Sequence, residues 1–226
     1  MTQSQVQHMA ANIITLARIV LAFVVIVLLQ MGFYYRVAGV LLTILVIYLD
    51  SLDGYVARRL GVASDFGALF DITGDRIVEH VFWIFFSSVG LVSVWVPIIF
   101  ISRSFLVDTL RSVAYAKEGR TPFGEKTLMR SAFTRFLTAS PFSRTIYAVG
   151  KVVAFVLLGT LLVFQEGFAM LQHWVPPQRL GDLYLITELV VWVVVAMNLI
   201  RGIPVLIDGR FYLFERQFPR ELKDEG

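Results

Sequence analysis

Four aspartates with fixed spacing stand at the edge of long apolar segments. Asp50 and Asp53 are three residues apart and Asp71 and Asp75 are four apart, so on helices each pair would share one face. Two antiparallel helices joined by a short loop could bring both pairs to one point. Carboxylates that close cannot all ionise without cations between them, and hard divalent ions such as Mg²⁺ or Mn²⁺ suit oxygen ligands. The spacing therefore predicts a divalent metal site.

The composition of the chain makes these acids unusual. The 226 residues are 57% hydrophobic and 16% charged, with a formal net charge of +3 and no cysteine. Soluble domains have about 45–50% apolar and about 25% charged residues, so an ordinary soluble enzyme and a disordered chain are excluded. We predict an all-α integral membrane protein. Ionised groups near hydrocarbon are expensive and persist where a cavity, a partner or a metal compensates them.

Apolar stretches of about 20 residues predict six transmembrane helices in a single domain covering residues 1–226. The second span is long enough only if its helix continues through Asp50 and Asp53. Residues 1–11 are predicted to be an N-terminal interfacial segment and residues 207–226 a cytoplasmic tail. The predicted spans are residues 13–32, 37–57, 67–91, 96–116, 144–164 and 183–206.

Lysine and arginine in the loops predict the orientation. Most of these basic residues lie near the two termini and in the second–third and fourth–fifth loops, so both termini and these loops are predicted to face the cytoplasm. The four aspartates flank the second–third loop and are therefore predicted to lie on the same side. The loop over residues 117–143 mixes basic and apolar residues, which favours an amphipathic helix on the anionic inner leaflet over a solvated charged loop. No nucleic-acid-binding module is visible, and topology explains the basic excess.

The acidic region resembles the complete signature of the CDP-alcohol phosphotransferase family. All eight specified positions are present at the family's spacing: Asp50, Asp53, Gly54, Ala57, Arg58, Gly67, Asp71 and Asp75. The resemblance implies an enzyme that cleaves the pyrophosphate of a CDP-alcohol, releases CMP and joins the phosphoryl group to an acceptor hydroxyl. In the bacterial lipid-making members the donor is CDP-diacylglycerol. We expect a bacterial inner membrane, with a mitochondrial or archaeal membrane as the alternatives, and the resemblance also implies a homodimer.

The same resemblance implies the roles of individual residues. Asp75 would be the general base on the acceptor hydroxyl and, with the other three aspartates, would hold two Mg²⁺ or Mn²⁺ ions. Taken alone, each glycine could equally serve tight helix packing, and Arg58 could be a membrane anchor. The residues implied to bind the CDP moiety are Gly54, Ala57, Arg58, Gly67 and Thr15.

Further residues resemble the phosphatidylglycerophosphate synthase branch of the family. Residues 12–18 resemble its N-x-x-T-x-x-R opening, and Arg103, Arg111 and Lys151 resemble its later basic positions. These three cations would bind the phosphate of an acceptor such as glycerol 3-phosphate, although snorkelling to the interface is the alternative. The dipeptide Asp75-Arg76 also resembles the inositol-phosphate branch. Phosphatidylinositol-phosphate synthesis, or serine or phosphatidylglycerol as acceptor, therefore stays open.

A function of another class would be a cation transporter whose intramembrane acids line the transport path. The four aspartates do not spread along a transmembrane path. They cluster at one predicted boundary, which favours the transferase.

Overall fold

The described part of the chain consists of long helices. The computed structural model describes residues 3–60, 65–118, 136, 138, 140–171 and 176–214, and it contains no strand in these ranges. The helices are α1 (Gln3–Leu29), α2 (Phe33–Leu60), α3 (Asp65–Ser88), α4 (Trp95–Glu118), α5 (Pro141–Leu171) and α6 (Pro177–Phe214).

Three of these helices contain segments long and apolar enough to cross a membrane. These segments are Asn12–Leu29, Pro141–Gly167 and Pro177–Arg210. The apolar part of α2, Phe33–Leu49, is shorter, and the helix continues through the first two aspartates, as the length argument requires. The prediction of an all-α integral membrane protein is confirmed.

The helices expose many large hydrophobic side chains, as a protein surrounded by lipid does. Leu41, Phe105, Leu185 and Leu189 are among the many large hydrophobic side chains that are exposed. In water such a surface would be unfavourable, whereas lipid tails are as apolar as leucine. The helix exteriors therefore support burial in a bilayer.

Local sequence signals set the helix ends. After α3, Gly90 has a φ of 76°, a conformation that glycine adopts without steric penalty. The Ser93 hydroxyl accepts a hydrogen bond from the Trp95 N–H at 3.4 Å at the start of α4. Pro97 falls in the first turn of α4, where a missing N–H leaves no helical hydrogen bond unmade. The predicted break between the third and fourth spans is thus confirmed.

Several helices extend beyond the predicted spans. Helix α6 runs to Phe214, so the predicted tail starting at residue 207 is helical over its first part. In this added part Gly209 lies close to Leu110 of α4, whose Cδ1 would be 3.0 Å from an added Cβ. Helix α1 begins at Gln3, so the predicted interfacial segment continues directly into the first span. Most of the loop over residues 117–143 lies outside the described residues, and its predicted amphipathic helix stays a prediction.

The chain divides into two compact units. The first unit comprises Met1–Ile101 and Ala148–Val195, and the second comprises Ser102–Tyr147 and Ala196–Gly226. In the first unit α1 packs against both α2 and α3.

An aromatic core fixes the apolar half of α3 in the first unit. Trp83 lies 4.8 Å from Phe100 of α4 and 4.7 Å from Phe155 of α5, measured between ring centroids. Phe82 stacks on the same Phe155 ring at 5.0 Å. All four rings are buried. Close aromatic packing of this kind contributes both buried area and defined geometry.

Buried polar contacts organise the second unit. The Tyr147 hydroxyl donates to Asn198 Oδ1 at 2.9 Å. The Arg201 guanidinium donates to Ser143 Oγ at 2.7 Å and to the Thr138 carbonyl at 3.2 Å, and it lies 5.2 Å from the centre of the Tyr147 ring. Such contacts compensate polar groups removed from water.

Candidate active site

Three acids form one line along α3. Asp71, Asp75 and Glu79 follow one another at intervals of four residues, so they share a face of the helix. The side chains of Asp71 and Asp75 are 44% and 47% exposed, whereas that of Glu79 is only 5% exposed. The first two carboxylates are therefore accessible to a ligand, and the third is enclosed by protein.

Arg18 of α1 joins the two accessible acids. Its side chain is 1% exposed, and Nη2 lies 2.6 Å from Asp75 Oδ1 and 3.4 Å from Asp71 Oδ1. The shorter contact is a charge-assisted hydrogen bond, which fixes the direction of the Asp75 carboxylate. Sequence reasoning named Arg18 only as the last residue of an opening motif. Its position inside the first apolar segment, where a charge needs a partner, was the available signal.

A close approach between α1 and α3 makes this contact possible. A Cβ atom at Gly74 would lie 2.7 Å from Thr15 Cγ2 and 3.2 Å from Arg18 Nη2. Real side chains do not tolerate the first distance, so glycine at this position lets the two helices meet beside the acids. Thr15, which was predicted to bind CDP, is buried at this contact.

The third acid holds two cations. Glu79 Oε1 lies 3.1 Å from Lys151 Nζ of α5, and Glu79 Oε2 lies 3.3 Å from Arg76 Nη1 of α3. Lys151 was predicted from the sequence to bind phosphate, whereas Glu79 was missed. The signal was its spacing, one helical turn beyond Asp75.

The remaining signature residues lie on α2 and at the start of α3. Asp50, Asp53, Gly54, Ala57 and Arg58 belong to α2, but their side chains lie outside the described part of the structure. Gly67 lies in the first turn of α3. The structure thus brings Asp71 and Asp75 together around Arg18. The meeting of all four aspartates, and the binding of CDP, stay predictions.

The other predicted phosphate-binding residues lie in the second unit. Arg103 is buried beside Gly202, where an added Cβ would meet its Cγ at 2.7 Å. Arg111 Nη1 lies 3.9 Å from Asp108 Oδ1. Lys151 belongs to the first unit, so the predicted set of three cations divides between the two units. Arg201, which sequence reasoning missed, adds a second buried arginine to the second unit.

Two of the four predicted metal ligands, Asp71 and Asp75, have described side chains, and their donor atoms suit a divalent metal ion. Asp71 and Asp75 offer accessible carboxylate oxygens on one helix face and share one neighbouring cation, Arg18. Oxygen donors of this type match Mg²⁺ and Mn²⁺. Among the described residues no cluster of three or more potential metal ligands occurs. The other two predicted ligands, Asp50 and Asp53, fall outside the side chains that the structure describes.

Comparison with known proteins matches residues 8–195 to the family described as CDP-alcohol phosphatidyltransferase. The chain is 35% identical over 78 residues to the CDP-diacylglycerol--glycerol-3-phosphate 3-phosphatidyltransferase of Bacillus subtilis (strain 168), covering 34% of this chain and 40% of that protein. It is 32% identical over 101 residues to the enzyme of the same name from Rickettsia typhi, covering 44% and 57% of the two chains. This chain therefore spans about half the length of the curated relatives that it matches.

Proposed function

The chain belongs to the CDP-alcohol phosphatidyltransferase family, and we propose that it transfers a phosphatidyl group from CDP-diacylglycerol to glycerol 3-phosphate. The products would be phosphatidylglycerophosphate and CMP. The observation that carries the proposal is the pair of accessible carboxylates on α3, Asp71 and Asp75, within the complete eight-residue signature. The names of the similar proteins from Bacillus subtilis and Rickettsia typhi support glycerol 3-phosphate as the acceptor.

Asp75 acts as the general base in this proposal. Its carboxylate accepts the proton of the acceptor hydroxyl, whose oxygen bonds to the phosphorus that carries the diacylglycerol. The bond from that phosphorus to the bridging oxygen breaks, and the oxygen leaves with CMP. Arg18 supports this role because its 2.6 Å hydrogen bond orients the carboxylate before the acceptor arrives.

Asp50, Asp53, Asp71 and Asp75 would hold two Mg²⁺ or Mn²⁺ ions. When bound, such ions neutralise the negative charge that phosphoryl transfer spreads over the phosphate oxygens. The protein's own contribution is to place carboxylates at one membrane boundary. Gly54, Ala57, Arg58, Gly67 and Thr15 would hold the CDP moiety, as the family resemblance implies.

A phosphorylated acceptor is supported by the cations of the chain. Arg103, Arg111 and Lys151 are the predicted phosphate-binding residues, and Lys151 lies next to the acidic face of α3 through its contact with Glu79. Arginine and lysine recognise phosphate through charge-assisted hydrogen bonds. Inositol phosphate would satisfy the same chemistry, whereas serine would not.

We propose that the whole chain, residues 1–226, works as one domain in a bacterial inner membrane. The distribution of lysine and arginine supports cytoplasmic termini and a site that opens to the cytoplasm. In this orientation the acyl chains of the donor stay in lipid while CMP and the acceptor exchange with water. Homodimerisation is proposed from the family resemblance alone.

An acceptor assay tests this function. The purified full chain is given labelled CDP-diacylglycerol with Mg²⁺ and, separately, glycerol 3-phosphate, inositol 3-phosphate, serine or phosphatidylglycerol. We expect CMP release and a phosphatidylglycerophosphate product with the first acceptor only. Reaction with only serine or phosphatidylglycerol would refute the phosphate-binding role of the three cations. Cation flux in liposomes without CMP release would instead support a transporter.

A further inference from the structure

The carboxylate of Glu79 is shared evenly between two cations. Each oxygen has its own partner, Lys151 Nζ at 3.1 Å and Arg76 Nη1 at 3.3 Å. The partners come from different helices, α5 and α3, so the carboxylate ties together two elements of the same unit. Because Glu79 lies one turn beyond Asp75, both cations are held next to the proposed general base.

The burial of the three groups is uneven. Glu79 is almost fully enclosed, whereas the side chains of Lys151 and Arg76 keep about a quarter of their surface exposed. A carboxylate buried this deeply needs cationic partners. The side chains of the two cations, in contrast, are only partly buried.

A second ion pair of the same unit shows the opposite arrangement. Arg36 Nη2 lies 3.3 Å from Glu166 Oε2, but here the acid is 47% exposed and the arginine is the more buried partner. Arg36 also donates to the carbonyls of Met31 at 2.9 Å and Leu162 at 2.7 Å. That arginine is occupied by the protein itself. At Glu79 the acid is the more buried partner, and about a quarter of the side-chain surface of each cation is exposed.

The flexible side chain of Lys151 gives a physical reason for the buried carboxylate of Glu79. A lysine ammonium group is a point charge on a flexible four-carbon chain, and ordering that chain carries an entropic cost. A fixed carboxylate reduces this cost before the ligand binds, which is preorganisation. The ammonium group, which carries three donor hydrogens, can then donate a hydrogen bond to a phosphate oxygen.

We propose that Glu79 is a positioning residue that sets Lys151 and Arg76 to bind the phosphate of the acceptor alcohol. This inference rests on the proposed function and deepens it, because it names two cations of the first unit and the acid that orients them. The ligand is a phosphomonoester that carries a free hydroxyl. Glu79 acts through its two cations and does not touch the reacting atoms.

Steady-state kinetics of the full chain in detergent–lipid micelles test the role. Glycerol 3-phosphate is varied at saturating CDP-diacylglycerol, and the donor is then varied at saturating acceptor. For Glu79→Gln we expect the KM of glycerol 3-phosphate to rise about tenfold or more, with kcat and the KM of the donor changed less than about threefold, since the loss is one of acceptor binding. Glu166→Gln is the matched control and should leave both KM values unchanged.

Coupling between Glu79 and Lys151 separates positioning from a general structural effect. Lys151→Met should raise the same KM, and Glu79→Gln combined with Lys151→Met should raise it by less than the product of the two single effects, because the acid acts partly through the lysine. Independent, multiplying effects would refute the proposal, as would equal changes in the KM of both substrates. If Glu79→Gln alone does not fold, the double variant, which removes both charges, is compared with Lys151→Met.

The two proposals fail in different ways. Wild-type protein that releases no CMP with glycerol 3-phosphate refutes the proposed function. Active wild-type protein whose acceptor KM is insensitive to Glu79→Gln refutes only the positioning role.

Discussion

The contact between α1 and α3 at Gly74 offers the sharpest test of the site. In Gly74→Ala the new Cβ would lie 2.7 Å from Thr15 Cγ2 and 3.2 Å from Arg18 Nη2. Carbon atoms in good contact are about 3.5–4.0 Å apart, so α1 or the Thr15 side chain must move away by about 1 Å. Arg18 reaches Asp75 from α1 at 2.6 Å, and this displacement would break or lengthen the hydrogen bond.

We expect Gly74→Ala to lower the rate of CMP release strongly while the protein stays folded. Overpacking destabilises a core by about 1–3 kcal/mol, and alanine recovers up to about 1 kcal/mol over glycine inside a helix. The free energy of unfolding should therefore fall by at most about 2 kcal/mol. A misplacement of about 1 Å at a reacting group can lower the rate about 100-fold. We expect CMP release to fall by one to two orders of magnitude, about 10- to 100-fold, while the protein stays folded.

The assay compares CMP release and thermal unfolding in detergent for Gly74→Ala and two further variants. Gly181→Ala in α6 is the matched control, because nothing lies within 4 Å of the added Cβ. Adding Thr15→Ser to Gly74→Ala removes the methyl group nearest the new side chain and should restore most of the lost activity. Full activity of Gly74→Ala, or no recovery in the double variant, would refute the close-approach reasoning.

Three other expectations follow from the described contacts. Asp75→Asn should lower CMP release by about 10²–10⁴-fold without unfolding the protein, since it removes a general base. The control is Asp182→Asn at the exposed start of α6. Normal turnover by Asp75→Asn would contradict the assignment of Asp75 as the base. Chelation of divalent ions should abolish CMP release, and Mg²⁺ or Mn²⁺ should restore it; activity that persists in excess chelator would exclude the metal proposal. Tyr147→Phe removes the 2.9 Å hydrogen bond to Asn198 and should lower the free energy of unfolding by about 1 kcal/mol. Thermal denaturation measures this loss, and the KM of CDP-diacylglycerol should change little. An unchanged midpoint would show that this contact contributes nothing to stability.

The helices could be predicted because their signals are local. An apolar stretch of sufficient length predicts a span, and Gly90 and Pro97 end and begin helices through their own backbone chemistry. The acids of α3 could be predicted as one face because helical periodicity is fixed. The end of α6 was not predicted, and there Gly209 lies beside Leu110, a residue far away in the chain.

The partners of the acids could not be predicted, because they depend on how helices rotate against one another. Arg18 and Asp75 are 57 residues apart in the chain, and no local pattern places one opposite the other. Lys151 was predicted as a phosphate ligand by its type and position, but its ion pair with Glu79 depends on the packing of α3 against α5. Glu79 could have been suspected as an acid in an apolar segment, since such a group needs a cation.

The aromatic core around Trp83 has a mechanical consequence for catalysis. The rings of Phe82 and Trp83 lock α3 against α4 and α5, and packed aromatic interiors resist small displacements. Helix α3 is thus held in place by its packing, and it is the rigid element that carries Asp71, Asp75 and Glu79. Relative movement at the proposed site would then fall to the helices packed against α3, and α1 meets α3 at Gly74.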